Sequence, residues 1–383
     1  MAGYECTDQL NCFGHRVDFL PLTGHLQLLD QDYQDLHQFQ LTTVREGIRW
    51  AHIERTPYRY DWSTVRQMLA AGRRHGIQQV WDLCHFGYPD DLTPLHPQFA
   101  RRFAALCRAF VQMYRELRPD DELIVTPINE VSFISWLGGD ARGTSPYCVG
   151  QGWEVKYGLM RAYVEGVAAL RAADPSIRIL TTEPLVNIVP PRQATAAQKR
   201  RALEFDTYQF QAVDMLAGRM CPELGGREDY LDLLGFNYYY DNQWEVDTSH
   251  RLPWVNTSRD PRWQPLHKLL LKAYRRYHKP VVLSETSHPG IDRPHWMRMI
   301  GRECAAALRQ GVPLYGVCLY PIIDRPDWDF LDQEWHRSGL WDAAPRPDAP
   351  PLRVLHKPYA RALRDAQTKV ATAAPAAAEA LLA

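Results

Sequence analysis

The chain has 383 residues, 45% of them hydrophobic, and its 44 basic and 45 acidic side chains leave a formal net charge of −1. So even a balance gives no electrostatic footprint for nucleic acid or an anionic membrane, and no uninterrupted apolar run approaches the ~20 residues of a membrane span. The opening stretch MAGYECTDQLNCFG has neither the basic nor the apolar part of a secretion signal, so a cytoplasmic protein is expected.

In chain order, strands are expected at residues 11–19, 43–50, 77–84, 122–128, 177–183, 231–237, 280–284 and 313–320. Helical stretches alternate with them at 31–40, 62–75, 97–117, 153–173, 194–217, 263–278, 294–310 and 352–368. The third shows the helical period well, with Phe99, Phe103, Leu106, Phe110, Met113 and Leu117 on one face. Eight strand-then-helix units are the number that closes a (β/α)₈ TIM barrel, an α/β fold, here read as a single domain over residues 1–367 with extended loops at the C-terminal mouth. The competing reading is an open doubly wound sheet, which the lack of a Gly-x-Gly-x-x-Gly turn or Walker A sequence disfavours. The polar, Trp-containing stretch 241–262 is placed as a loop overhanging the mouth, and the Ala-rich residues 368–383 as a mobile or loosely docked tail.

Two of these strands carry the chemistry. Ile124-Val-Thr-Pro-Ile-Asn-Glu130 and Val281-Val-Leu-Ser-Glu285 each run an apolar strand directly into a carboxylate. In a barrel of parallel strands such ends converge on one pocket, so Glu130 and Glu285 can face each other across one sugar ring. The bland alternative is a structural ion-pair role for both. Glu183, which ends the fifth strand, is a rival carboxylate that lacks a preceding Asn. The 12 Trp, 19 Tyr and 12 Phe are enough to fill a core and still line a carbohydrate-facing cleft. Cys84 and Cys318 fall in expected strands and Cys107 and Cys304 in expected helices, which suits buried free thiols better than disulfides. With no Cys-x-x-Cys or His-Glu-x-x-His spacing, neither a metal site nor a cofactor is expected.

Strand by strand, residues 11–330 resemble glycoside hydrolase family 1, the β-glucosidase and β-galactosidase family of the retaining (β/α)₈ clan. The segment from Arg45 to Trp50 is similar to the family's Arg-Phe-Ser-Ile-Ser-Trp, His85-Phe86 to its His-Trp, and Thr126-Pro-Ile-Asn129-Glu130 to its Thr-Phe-Asn-Glu. Gly235-Phe-Asn237-Tyr238-Tyr239, Ser284-Glu285-Thr286 and the stretch from Gly316 through Tyr320 to Asp327-Trp328 match the later motifs in order.

The resemblance implies a retaining β-glycosidase with Glu285 as nucleophile and Glu130 as acid/base. It implies that Arg45 and Tyr239 support Glu285, and that His85, Asn129, Asn237, Tyr320, Asp327 and Trp328 bind a β-glucoside or β-galactoside-like substrate. A transglycosidase on the same residues and a non-catalytic sugar-binding barrel are the alternatives. Three departures bear on specificity. The expected first strand has no Gln at the family's offset, where His15, Asp18 or Gln27 could substitute. Tyr320 stands for the platform Trp, and the shorter Asp327 stands for a sugar-gripping Glu. No Lys accompanies Asp327, which disfavours phosphorylated sugars.

Overall fold

A computed structural model describes residues 1–255, 260–333, 335–346 and 348–373. Its strands are β1 Ala2–Gly3, β2 Thr43–Gly47, β3 Gln78–Cys84, β4 Ile124–Ile128, β5 Arg178–Ile179, β6 Glu183–Pro184, β7 Asn187–Val189, β8 Leu234–Asn237, β9 Gln243–Glu245, β10 Val281–Thr286, β11 Leu314–Leu319, β12 Trp341–Arg346 and β13 Ala349–Leu355. The main sheet is parallel, in the order β5-β4-β3-β2-β1-β11-β10-β8-β6. Its two ends, β5 and β6, belong to one short segment of chain. On one side of that segment Leu180 N donates to Val125 O at 2.9 Å, and on the other Leu233 N donates to Ile179 O at 3.0 Å. The sheet therefore closes on itself as a barrel.

Parallel strands covered on both faces need apolar residues in both directions, and the Val/Ile/Leu-rich runs supply them. Inside the barrel, Val80, Ile124, Leu180, Leu233 and Val282 pack as a plug separate from the main core between sheet and helices. Polar residues occupy the levels above it. Along β2 the side chains alternate: Arg45 points into the barrel, and Glu46 points outward to His25 and Tyr33.

The first strand is not at residues 11–19. It is Ala2–Gly3, paired with Val44 and Arg45 on one side and Leu319 on the other, and the expected segment forms a loop running into the short helix Phe19–Leu22. The chain after β1 lies so close to β2 that a Cβ on Gly47 would sit 2.4 Å from Cys6 Sγ. Other differences are smaller. A helix, Val131–Gly139, starts directly at Glu130, and the expected helix 194–217 is two helices, Ala196–Tyr208 and Gln211–Leu216. The expected overhanging loop contains β9, which pairs with β7, and its residues 256–259 lie outside the described residues. An antiparallel hairpin, β12–β13, precedes the last helix, Lys357–Ala371, which runs past the expected start of the tail at 368; residues 374–383 lie outside the described residues.

A buried ionic network fastens the hairpin to the barrel. Arg353 on β13 donates to both oxygens of Asp32 at 2.7 and 2.9 Å, His25 bridges Asp32 (2.7 Å) and Glu46 (3.0 Å), and Tyr33 donates to Glu46 at 2.6 Å. The Tyr4 ring stacks on His25 at 3.6 Å. All eight cysteines are free thiols, five of them buried. No helix among the described residues is long and apolar enough to cross a membrane.

Candidate active site

The residues at the C-terminal ends of the barrel strands form one connected polar cluster, and Arg45 is its hub. It is fully buried on β2 and touches three other strand ends. Nε donates to Asp82 Oδ1 at 2.9 Å, Nη1 to Glu285 Oε1 at 2.6 Å, and Nη2 to Asn129 Oδ1 at 2.6 Å. Burial alone would lower the Arg45 pKa, but the Asp82 and Glu285 charges raise it, so the guanidinium stays charged in a dry setting.

Glu285 is presented by a local irregularity. The pairing of β10 with β8 and β11 shifts between Leu283 and the residues that follow, and a bulge of this kind re-aims a side chain at the end of a strand. The second Glu285 oxygen accepts from Tyr239 Oη at 2.7 Å. Burial and the charges of Glu285 and Glu130 push the Tyr239 phenol well above its usual range, so it remains a donor. Tyr238, one residue earlier, faces away and stacks on Trp296, so of the two tyrosines only Tyr239 contacts Glu285 through its hydroxyl.

Glu130 has left-handed backbone, with φ 46, and is 9% exposed. A non-glycine residue there costs on the order of 1 kcal/mol, which the surroundings must offset. Its carboxyl is pushed well above the ordinary carboxylate range, first by burial and then by the charge of Glu285 and, more weakly, of Glu183; the Asn237 amide acts in the opposite direction. Asn237 itself accepts from Ser284 Oγ at 2.6 Å.

His85 is held by Asp82, whose carboxylate lies 2.7 Å from Nδ1. Its Nε2 faces Tyr320 Oη at 3.1 Å and Asn129 Nδ2 at 3.4 Å. Tyr320 is buried, stacks on His85 and lies under the Arg45 guanidinium, so it forms part of the wall and not an open platform. The corrected first strand adds a residue that sequence reasoning missed. Glu5 is buried and accepts from Thr7 Oγ1 (2.6 Å) and Tyr320 Oη (3.2 Å), and pairs with Arg325 at 3.2 Å. Burial alone would raise its pKa, but Arg325, His85 and Thr7 bring it below the usual value. The proposed substitutes are elsewhere: His15 and Gln27 are exposed, and Asp18 is paired with Arg49. Asp82 was also missed, although a charged residue inside the apolar run Val80-Trp81-Asp82-Leu83 was its signal.

Of two further expected residues, Asp327 stands apart from this cluster and Trp328 borders it, under the guanidinium of Arg325. Asp327 is occupied within its own loop, accepting from the amides of Asp329 (2.8 Å) and Phe330 (3.1 Å) and facing His336 Nε2 at 2.9 Å. Trp328 belongs to an aromatic row. Phe86, buried at the mouth, touches Trp328 at 5.4 Å and Phe133 at 5.6 Å, and Phe133 continues to Trp136 at 5.7 Å, which is 53% exposed.

Cys6, Asp82 and His85 lie close enough together to be considered as metal ligands. The donor set does not fit a cation, because both Asp82 oxygens already serve Arg45 and His85, and a permanent positive charge sits beside them.

The architecture has clear counterparts among solved structures. A family 1 β-glucosidase from Thermotoga maritima aligns with a TM-score of 0.71 at 16% identity, covering 91% of this chain and 87% of that one. The fold is that of family 1 β-glucosidases. A β-glucosidase from T. maritima in complex with deoxynojirimycin aligns with a TM-score of 0.70 at 15% identity over 91% and 88% of the two chains. A hyperthermophilic β-glucosidase mutant aligns with a TM-score of 0.71 at 16% identity over 89% and 88%. No protein-family model and no curated protein sequence matches the chain.

Proposed function

We propose that this chain is a retaining β-glycosidase that uses Glu285 as nucleophile and Glu130 as acid/base. The observation that carries the reading is the contrast between two buried carboxyls that sense one another. Glu285 receives hydrogen bonds from a guanidinium and a phenol, the setting of a carboxylate that attacks. Glu130 is biased toward its protonated form, the setting of an acid that donates to a leaving oxygen.

In the first step a Glu285 oxygen bonds to the anomeric carbon while the bond to the aglycone oxygen breaks and takes the Glu130 proton. In the second, Glu130 removes a proton from water, which attacks the anomeric carbon and releases Glu285. Asn129, fixed by Arg45 and adjacent to Glu130, is placed to meet the sugar 2-hydroxyl, and His85 and Glu5 to meet more distal hydroxyls. The aromatic row from Phe86 to Trp136 leaves the mouth along the helix that begins at Glu130, which suits an apolar or aromatic aglycone.

The test is nitrophenol release from a panel of aryl β-glycosides, run with Glu285→Gln and Glu130→Ala. The expected result is turnover lost in Glu285→Gln, and azide restoring Glu130→Ala through a glycosyl azide product. Full activity in Glu285→Gln would refute the assignment.

A further inference from the structure

Resting on that reading, we infer that Glu183 is a positioning residue that clamps the backbone of Glu130 and sets the field in which its carboxyl works. Glu183 is on β6, 3% exposed, with its strand paired to Phe236 and Asn237 of β8. The clamp has two arms. The backbone carbonyl of Thr182 accepts from Glu130 N at 2.8 Å, and the Glu183 side chain accepts from Ser132 N at 3.2 Å. Residue 130, in its left-handed conformation, is thus held from both sides by one strand end. The first-turn amides of the helix Val131–Gly139 point at the Glu183 carboxylate, the end of a helix that favours a negative charge.

The field is set by few groups. Among the described residues, no lysine or arginine forms an ion pair with Glu183. Lys156 acts on it from the helix Gly152–Ala173 while donating to Gln211 Oε1 at 2.7 Å, and Asp140 offsets part of that charge. Tyr163 on the same helix also feels Glu183, but as a neutral phenol. Around Glu130 the other charged or titratable neighbours are Glu285, Arg45 and Tyr239, with the neutral Asn237 amide opposing the rise. The carboxyl of Glu183 is raised by burial to about 6, so it is largely ionised at neutral pH and then adds its charge to that of Glu285 in retaining the proton on Glu130.

Charge and reach can be separated by substitution in the full-length protein. Glu183→Gln keeps a group that can accept from the Ser132 amide and removes the charge. The basic limb of its kcat/KM profile on an aryl β-glycoside should move down by about one pH unit, with activity on the acidic side within a few-fold of wild type. Glu183→Asp keeps the charge and shortens the reach, so its basic limb should stay in place while kcat falls. An unmoved basic limb in a folded Glu183→Gln protein would overturn the inference. So would azide rescue of Glu183→Ala in place of Glu130→Ala, since Glu183 would then be the acid/base itself. Turnover retained by Glu285→Gln would instead show that the underlying glycosidase reading had failed.

Discussion

Stability should fall as the pH rises from about 6.5 to about 9, and His25 should contribute a part that substitution can isolate. His25 is fully buried, and burial by itself would lower its pKa. Glu46 and Asp32 on either side more than reverse this, raising it from 6.5 to about 9. Tyr4, stacked on the ring, and Tyr33 and Arg353 complete the surroundings. A histidine that binds its proton more tightly when folded contributes stability that is fully present below the unfolded pKa and is lost as pH rises through the folded one. At ~1.36 kcal/mol for each pH unit between the two values, the loss amounts to about 3 kcal/mol.

The assay is urea unfolding at pH 6.5, 7.5, 8.5 and 9.5, for wild type and His25→Gln. The buried thiols of Cys6, Cys84, Cys107, Cys304 and Cys318 are all pushed up and bring their own loss at the alkaline end. That loss is common to both proteins and cancels in the difference. Asp8, raised to about 7, acts mainly at lower pH. Wild type should be the more stable at pH 6.5, and the gap should narrow by about 3 kcal/mol toward pH 9.5. Parallel curves would refute the reasoning.

Two predictions concern the site. Tyr239→Phe removes the 2.7 Å donor to Glu285 while keeping the ring. A hydrogen bond to a charged acceptor is worth ~1.5–3 kcal/mol, so kcat should drop by roughly ten- to a hundredfold in steady-state kinetics, with KM changed far less. Trp136→Ala should lower kcat/KM for octyl or naphthyl β-glycosides by about tenfold and leave β-glycosyl fluoride, which has no aglycone, within about twofold of wild type. Equal losses on both substrates would remove the aromatic row from the aglycone side.

The legible parts of this molecule share a physical cause. β3, β4 and β10 could be read because an apolar run ending in a charged or amide residue has few explanations other than a strand entering a functional mouth. Arg45 and Tyr239 came instead from the family resemblance, since neither ends such a run. β1 was not legible because only Ala2 and Gly3 pair, and their neighbours on β2 and β11, not their own periodicity, make them a strand. The segment His15-Arg16-Val17-Asp18-Phe19-Leu20 imitates strand alternation and drew the assignment away, and Glu5 was lost with it. The helix Val131–Gly139 starts with no side-chain cap, at a residue whose backbone conformation is set by its neighbours. The shift in β10 pairing that turns Glu285 inward leaves no mark in composition, since it depends on the register of two other strands.

The backbone at Glu130 sets thermal endurance against chemistry. Asparagine tolerates left-handed φ better than glutamate and has no ionisable group that must be kept protonated beside Glu285. Exchanging Glu130 for Asn would therefore relieve two costs at once and, on the proposed mechanism, remove the proton donor. Engineering this chain for heat tolerance by screening for folded yield would favour inactive variants at this position, so such a screen has to be run on turnover.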